Sequence, residues 1–184
     1  MSALQKKTRL FIGSRRGASA VEFAIIAPVF FALTFSIIEA GIYFFTTSAV
    51  DAANARAARL IRTGQTQDGG FTREAFFNEI CGVVSRFGSC NEKLTVDVAR
   101  FDDFAALSAD VSAPVCRDSD PTAGEPDPAD MPYNTGAALD IIRVRVCFLY
   151  ESVNPAIGLN LTPAGGGARK IISTNVFRNE PFGS

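Results

Sequence analysis

The apolar and polar positions of this chain are unevenly spread. From Phe23 to Ile38, 16 residues pass without a charge, bounded by Glu22 and Glu39. As a helix such a run spans about 24 Å, a little less than the ~30 Å hydrocarbon core of a bilayer. Continuing through Ala40 to Phe45 makes it long enough to cross. It holds Phe23, Phe30, Phe31 and Phe35 and has no polar stripe, which suits lipid better than a protein core. It is also longer than the roughly 7–15-residue core of a cleaved secretory signal, and no A-x-A site with turn residues follows it. Helical character persists beyond it. Residues 48–62, SAVDAANARAARLIR, are rich in Ala and Arg and lack Gly and Pro. Ala49, Ala52, Ala53, Ala57 and Leu60 are expected to form a small-residue face. One helix is therefore predicted from about Ala20 to Arg62, ended by Gly64, with Pro28 expected to kink it at the carbonyl of Ala24.

After Gly64 the pattern changes. In residues 72–87, Phe76, Ile80 and Val84 recur at intervals of four, which predicts a second, amphipathic helix with Thr72 as N-cap and Gly88 beyond its end. Residues 93–100 alternate Leu94, Val96 and Val98 against Thr95 and Asp97, and read as a strand. Residues 140–150 are the strongest strand, with Ile142, Val144, Val146 and Phe148 on one face and Arg143, Arg145 and Cys147 on the other. A third strand, 169–177, follows the turn-forming Gly165-Gly166-Gly167. Residues 112–137 hold five of the nine prolines together with Asp118, Asp120, Glu125, Asp127 and Asp130. They are expected to be an exposed loop, because such a composition buries little. Their spacing fails the EF-hand pattern. Asp102-Asp103 is expected to be a solvated turn. The predicted fold class is α+β: a long N-terminal transmembrane helix continuing into an exported domain with a short second helix and a small, mostly antiparallel sheet. The segments are 1–17, 18–62 and 63–184.

Charge orients this arrangement. Residues 1–17 carry Lys6, Lys7, Arg9, Arg15 and Arg16 and no acid, leaving 13 of the 18 Lys and Arg against all 19 acids in the remainder. A basic flank before the span and an acidic domain after it place the N-terminus in the cytoplasm by the positive-inside rule. No base-reading module accompanies the basic stretch, so nucleic acid is not an expected partner. The chain has no His, which removes the usual general base near neutral pH and the commonest metal ligand. No nucleophile–base pair, phosphate loop or metal-ligand cluster is legible, so neither catalysis, a metal nor a cofactor is expected. Cys81, Cys90, Cys116 and Cys147 all follow the span, an even number that predicts two disulfides in an oxidising compartment. Of three possible pairings, Cys81–Cys90 and Cys116–Cys147 are favoured: one closes a short helix-to-loop turn, the other tethers the acidic loop to a strand.

The junction reads Arg15-Arg16-Gly17-Ala18-Ser19-Ala20-Val21-Glu22-Phe23. Basic residues, a Gly, four small or apolar residues and then Glu-Phe opening an apolar helix resemble the processing site of type IV pilins. The wider stretch from Arg15 to Gly64 resembles the TadE-like family, minor pseudopilins of the tight-adherence (Flp) pilus system. Gly17, Ala18, Val21, Glu22, Phe23, Ala24, Pro28, Phe35, Ile38, Glu39, Gly41 and the tail to Arg62 carry the likeness. A weaker echo lies in Phe177-Arg178-Asn179-Glu180-Pro181, similar to the family's closing Arg-x-Glu-Pro. The resemblance implies a pilin-like fold and cleavage between Gly17 and Ala18 by a prepilin peptidase that recognises Arg15, Arg16, Glu22 and Phe23. It also implies that Glu22 pairs with the new α-amine of another subunit, with other pilins or pseudopilins, the assembly platform and the lipid bilayer as partners; the alternative for Glu22 is to snorkel at the cytoplasmic interface. The location implied is a bacterial inner membrane, single-pass, with the domain periplasmic or carried into a pilus. An uncleaved, TadG-like membrane-anchored assembly or adhesion protein is the alternative.

Glu39, 17 residues after Glu22 and roughly 25 Å further along a helix, is expected near the outer interface, paired with a neighbouring subunit or among headgroups. Gly41 would permit close helix approach there.

Overall fold

The computed structural model describes residues 17–68, 70–117, 131–153, 160–161 and 168–182. The basic segment with Arg15 and Arg16, the centre of the acidic loop and the Gly165-Gly166-Gly167 turn lie outside the described residues.

The N-terminal helix α1 runs unbroken over Ala18–Arg62, passing through Pro28. It ends where expected: Gly64 adopts φ +81°, a left-handed conformation that only Gly takes without strain. A short helix α2 (Gln65–Asp68) turns the chain. Helix α3 (Arg73–Val84) follows, its N-terminus capped by the Thr72 hydroxyl, which accepts from the Ala75 amide. A 3-10 turn (Ser85–Phe87) and helix α4 (Cys90–Lys93) lead into strand β1 (Leu94–Phe101), helix α5 (Phe104–Ala109), strand β2 (Ile141–Tyr150) and strand β3 (Arg169–Arg178). The sheet has order β1-β2-β3 and both pairings are antiparallel. The expected α+β class and all three expected strands are therefore present.

Burial explains the arrangement. The C-terminal half of α1 and one face of α3 lie on one side of the sheet, enclosing Phe76, Ile80, Val84, Leu94, Val98, Ile142, Val144, Val146 and Phe148. Each such side chain contributes about 1.5–3 kcal/mol when fully removed from water. The stripe that α1 buries is Val50, Ala53, Asn54, Ala57, Ala58 and Ile61. It is rotated from the expected small-residue face: Ala52 is exposed, and Ala49 and Leu60 are half-buried. The larger Val50 and Ile61 set the contact, and the alanines between them let the helix sit close to the sheet.

The other face of the sheet is covered by a strap, residues 110–117. The Thr95 hydroxyl donates to the Val115 carbonyl at 2.7 Å, and Cys116 is bonded to Cys147 of β2. On the β1 side the Val98 amide donates to the Pro132 carbonyl and the Asn134 amide to the Val98 carbonyl, both at 2.9 Å. Both flanks of the expected loop are thus built into the domain, because a disulfide and a strip of backbone bonding hold what composition alone assigned to solvent. Asp102-Asp103 forms the expected exposed bend after β1, and Asp103 in addition caps α5 by accepting from the Ala106 amide at 2.6 Å.

Candidate functional site

Of the residues singled out in the sequence, Gly17, Ala18, Glu22, Phe23, Glu39 and Gly41 lie on α1 or immediately before it. Gly17 stands immediately before the first helical residue, Ala18, and both are exposed. Glu22 and Phe23 follow within the first turn and a half, also exposed, with Phe23 at 67%. From Ala18 to Ile38 no residue of α1 is fully buried. That free stretch of 21 residues is about 32 Å long at 1.5 Å per residue, close to the ~30 Å thickness of a bilayer core. It is the one described helix long and apolar enough to cross a membrane.

The domain begins at Glu39. Its side chain is buried, with 2% of its surface exposed. Oε1 accepts from the Tyr150 hydroxyl at 2.7 Å, the Ser152 hydroxyl at 2.8 Å and the Val153 amide at 3.2 Å. This corrects the expectation of a neighbouring subunit or headgroups as its partners: Glu39 bonds inside its own chain, because the end of β2 brings three donors against the helix. Burial, and then the hydrogen bond and charge of Glu39, push the Tyr150 phenol well above its ordinary range, so it remains a donor. Gly41 is exposed with open space around it. A Cβ added there would meet no atom among the described residues.

Further along, Asn54 Nδ2 donates to the Ser173 hydroxyl at 3.0 Å, tying α1 to β3, and Arg56 pairs with Glu79 of α3 at 2.7 Å. The closing Arg178-Asn179-Glu180-Pro181 segment returns to the far end of the same helix. The Glu180 amide donates to the Arg62 carbonyl at 2.9 Å, and its carboxylate pairs with the Arg62 guanidinium at 3.2 Å. Asn179, 2% exposed, donates to the carbonyls of Thr135 and Ala137. A backbone carbonyl near a helix C-terminus needs a donor, and here the tail supplies one.

Two cation–carboxylate pairs lie under the strap. Arg145 meets Asp97, its direct cross-strand partner, at 2.8 Å through Nε and 2.5 Å through Nη2. Arg143 meets Asp110 at 2.7 Å. Hydrogen bonds from the Ser112 backbone and hydroxyl, together with Arg143, hold the Asp110 carboxyl at about 2, below its ordinary 3.8. These pairs pin the strap, and sequence reading missed them. The alternation of Asp97 and Arg145 on a shared strand face was the available signal. The disulfides are Cys81–Cys90 and Cys116–Cys147, the favoured pairing. Among the described residues no group of His, Cys, Asp and Glu is arranged to hold a metal ion.

Compared with protein families, residues 17–59 match the one described as TadE-like protein. The matched segment opens at Gly17, contains Glu22, Glu39 and Gly41, and closes within the part of α1 that packs on the sheet. The chain is thus TadE-like over its N-terminal helix. Comparison with curated proteins and with solved structures gave no match.

Proposed function

We propose that this TadE-like chain is a minor pseudopilin of a tight-adherence pilus system, cut by a prepilin peptidase between Gly17 and Ala18 and assembled through α1. The observation that carries the reading is the division of one helix into two halves. Its C-terminal half is built into the domain, while its N-terminal 21 residues emerge unburied and apolar at the length of a bilayer. An exposed Gly-Ala junction directly before that free half is accessible to a membrane peptidase, and the preceding Arg15 and Arg16 keep the leader on the cytoplasmic side.

Glu22 then has a defined task. Cleavage leaves an α-ammonium at Ala18, four residues from an exposed carboxylate. An acidic group inside a span costs ~2.5–3.5 kcal/mol at mid-membrane on insertion scales, so pairing with the amine of a neighbouring subunit favours assembly over isolated helices. The peptidase supplies the chemistry and this chain is its substrate. Other pilins, the assembly platform and the lipid bilayer are the partners, with the domain on the periplasmic side of a bacterial inner membrane.

The test is Glu22→Ala in the full precursor. It is expected to be cleaved normally yet to be missing from purified pili, or at least about tenfold depleted, as the loss of one charge pair of about 1.4 kcal/mol would give. Incorporation of Glu22→Ala at the wild-type level would defeat the pairing.

A further inference from the structure

We propose that the base of the exported domain is itself immersed in the outer leaflet, with Val153, just beyond β2, acting as a wedge and Phe45 and Phe87 lying at headgroup level. This rests on the reading of α1 as a membrane span.

The exposed apolar surface does not stop where the domain starts. It continues past Glu39 from Ile37 (73%) and Ile38 (50%) to Phe44 (68%) and Phe45 (67%). Counted from Phe23, the apolar band covers 23 residues, about 35 Å of helix, against a core of ~30 Å and a full bilayer of ~40–45 Å. Its upper end therefore reaches into the headgroup layer, and the part of the domain beside Glu39, six residues or about 9 Å lower, lies at the outer edge of the core.

The chemistry of this level is suited to lipid. Glu39 is the sole charged residue between Phe23 and Phe45, and it is turned inward with 2% of its surface exposed. Lipid at that height does not meet the Glu39 carboxylate, and the exposed carboxylate nearby, Glu151, is neutralised by an ion pair. The residue whose amide Glu39 accepts, Val153, presents a side chain that is 67% exposed. The nearby Glu151 is paired with Lys93 at 2.9 Å. One step higher, Phe45 packs edge-on against Phe87 with ring centroids 5.7 Å apart, and Arg86 next to it is exposed. The Arg169 guanidinium lies over the Tyr43 ring at 5.5 Å. Aromatic rings with arginines just outside an apolar band are the composition of a membrane–water interface, where the cations reach phosphate groups.

The patch also surrounds the helix. Phe44 points about 140° away from Glu39 at 3.6 residues per turn, whereas Val153 and Phe87 belong to the domain side. A second protein would cover one side, while a leaflet of anionic phospholipid covers all of it.

The chain contains no Trp, so single reporters are read against a dark background. Val153→Trp, Phe87→Trp, Phe31→Trp and Phe104→Trp would be made in the full chain and reconstituted in vesicles of phosphatidylethanolamine and phosphatidylglycerol. Quenchers would be lipids carrying nitroxide at the headgroup or bromine deep in the acyl chain. Val153→Trp and Phe87→Trp are each expected to lose about half their emission to the headgroup quencher. Phe31→Trp should respond to the deep bromines, and Phe104→Trp, beyond the far end of β1, to neither. If Phe31→Trp is quenched while both domain reporters behave like Phe104→Trp, the immersion is wrong and the span stands. An unquenched Phe31→Trp overturns the span and the immersion together. Because Phe87→Trp replaces one aromatic with another, it reads the domain independently of any disturbance that Val153→Trp causes.

Discussion

Replacing Glu39 with Ala removes the acceptor at the point where the free half of α1 becomes part of the domain. Three donors lose their partner: the Tyr150 hydroxyl, the Ser152 hydroxyl and the Val153 amide. Hydrogen bonds to a charged group are each worth about 1.5–3 kcal/mol net, but such terms do not add when groups share one acceptor. Ser152 is half-buried and Val153 exposed, so those two donors find other acceptors, water or lipid headgroup oxygens, at modest cost. Tyr150 is 4% exposed, and its stranded hydroxyl costs about 1–3 kcal/mol. Adding a fraction for the other two and for lost side-chain packing gives about 2–4 kcal/mol. At 1.4 kcal/mol per tenfold, local opening becomes about 30- to several-hundred-fold more frequent. Hydrogen exchange of the 149–153 amides, measured by mass spectrometry on the full chain in lipid nanodiscs, reads that change directly. Glu39→Gln keeps a carbonyl acceptor in place and is expected to lose no more than about 1 kcal/mol. Unchanged exchange in Glu39→Ala would refute the reasoning, and so would a Glu39→Gln variant as damaged as Glu39→Ala.

Other outcomes follow from the strap, the disulfides and the junction. Asp110, whose pKa is depressed from 3.8 to about 2 by Ser112 and Arg143, contributes stability that is present above its unfolded pKa and is lost as pH falls through its folded pKa. The strap should therefore hold at pH 5 and loosen between about 4 and about 2; carboxyl-carbon NMR showing Asp110 titrating near 3.8 would contradict this. The Cys116–Cys147 bridge spans 31 positions and Cys81–Cys90 spans 9. In the chain-entropy account, removing the first by paired Ser substitutions should cost about 3.7 kcal/mol and the second about 2.7. Denaturant unfolding in detergent that ranks them in the opposite order would count against it. For Glu22→Ala, separation of cleavage from assembly is the expected outcome, read by comparing its processed fraction with its content in purified pili.

Much of this was legible in the sequence because it depended on local pattern. The 45-residue helix α1 followed from an apolar run continued by Ala and Arg, with Gly64 supplying the left-handed stop. The strands followed from alternation, and Thr72 announced α3. The stripe that α1 buries lies about one position round from the small-residue face, because small residues on all sides of that segment leave the contact face to be decided by the sheet. What stayed hidden depended on distant partners. Glu39 meets donors 111 to 114 residues away, so the sequence demanded a partner for it without identifying one. The strap was read as solvated because five prolines and several acids dominate residues 112–137, masking the hold of Cys116 and the anchoring of Ser112 to Arg145. The C-terminal echo was visible as a motif, yet its physical meaning emerged only when Glu180 was found against Arg62. At the junction itself, local pattern carried everything, and the structure adds that Gly17 and Ala18 are exposed at the start of the helix.

That junction is where the account stands or falls. The most direct measurement is intact-mass and N-terminal analysis of the chain purified from membranes of cells with an active prepilin peptidase. The account predicts a product whose first residue is Ala18, with Glu22 at its fifth position and both disulfides retained. A chain that still begins at Met1 in those membranes would contradict it.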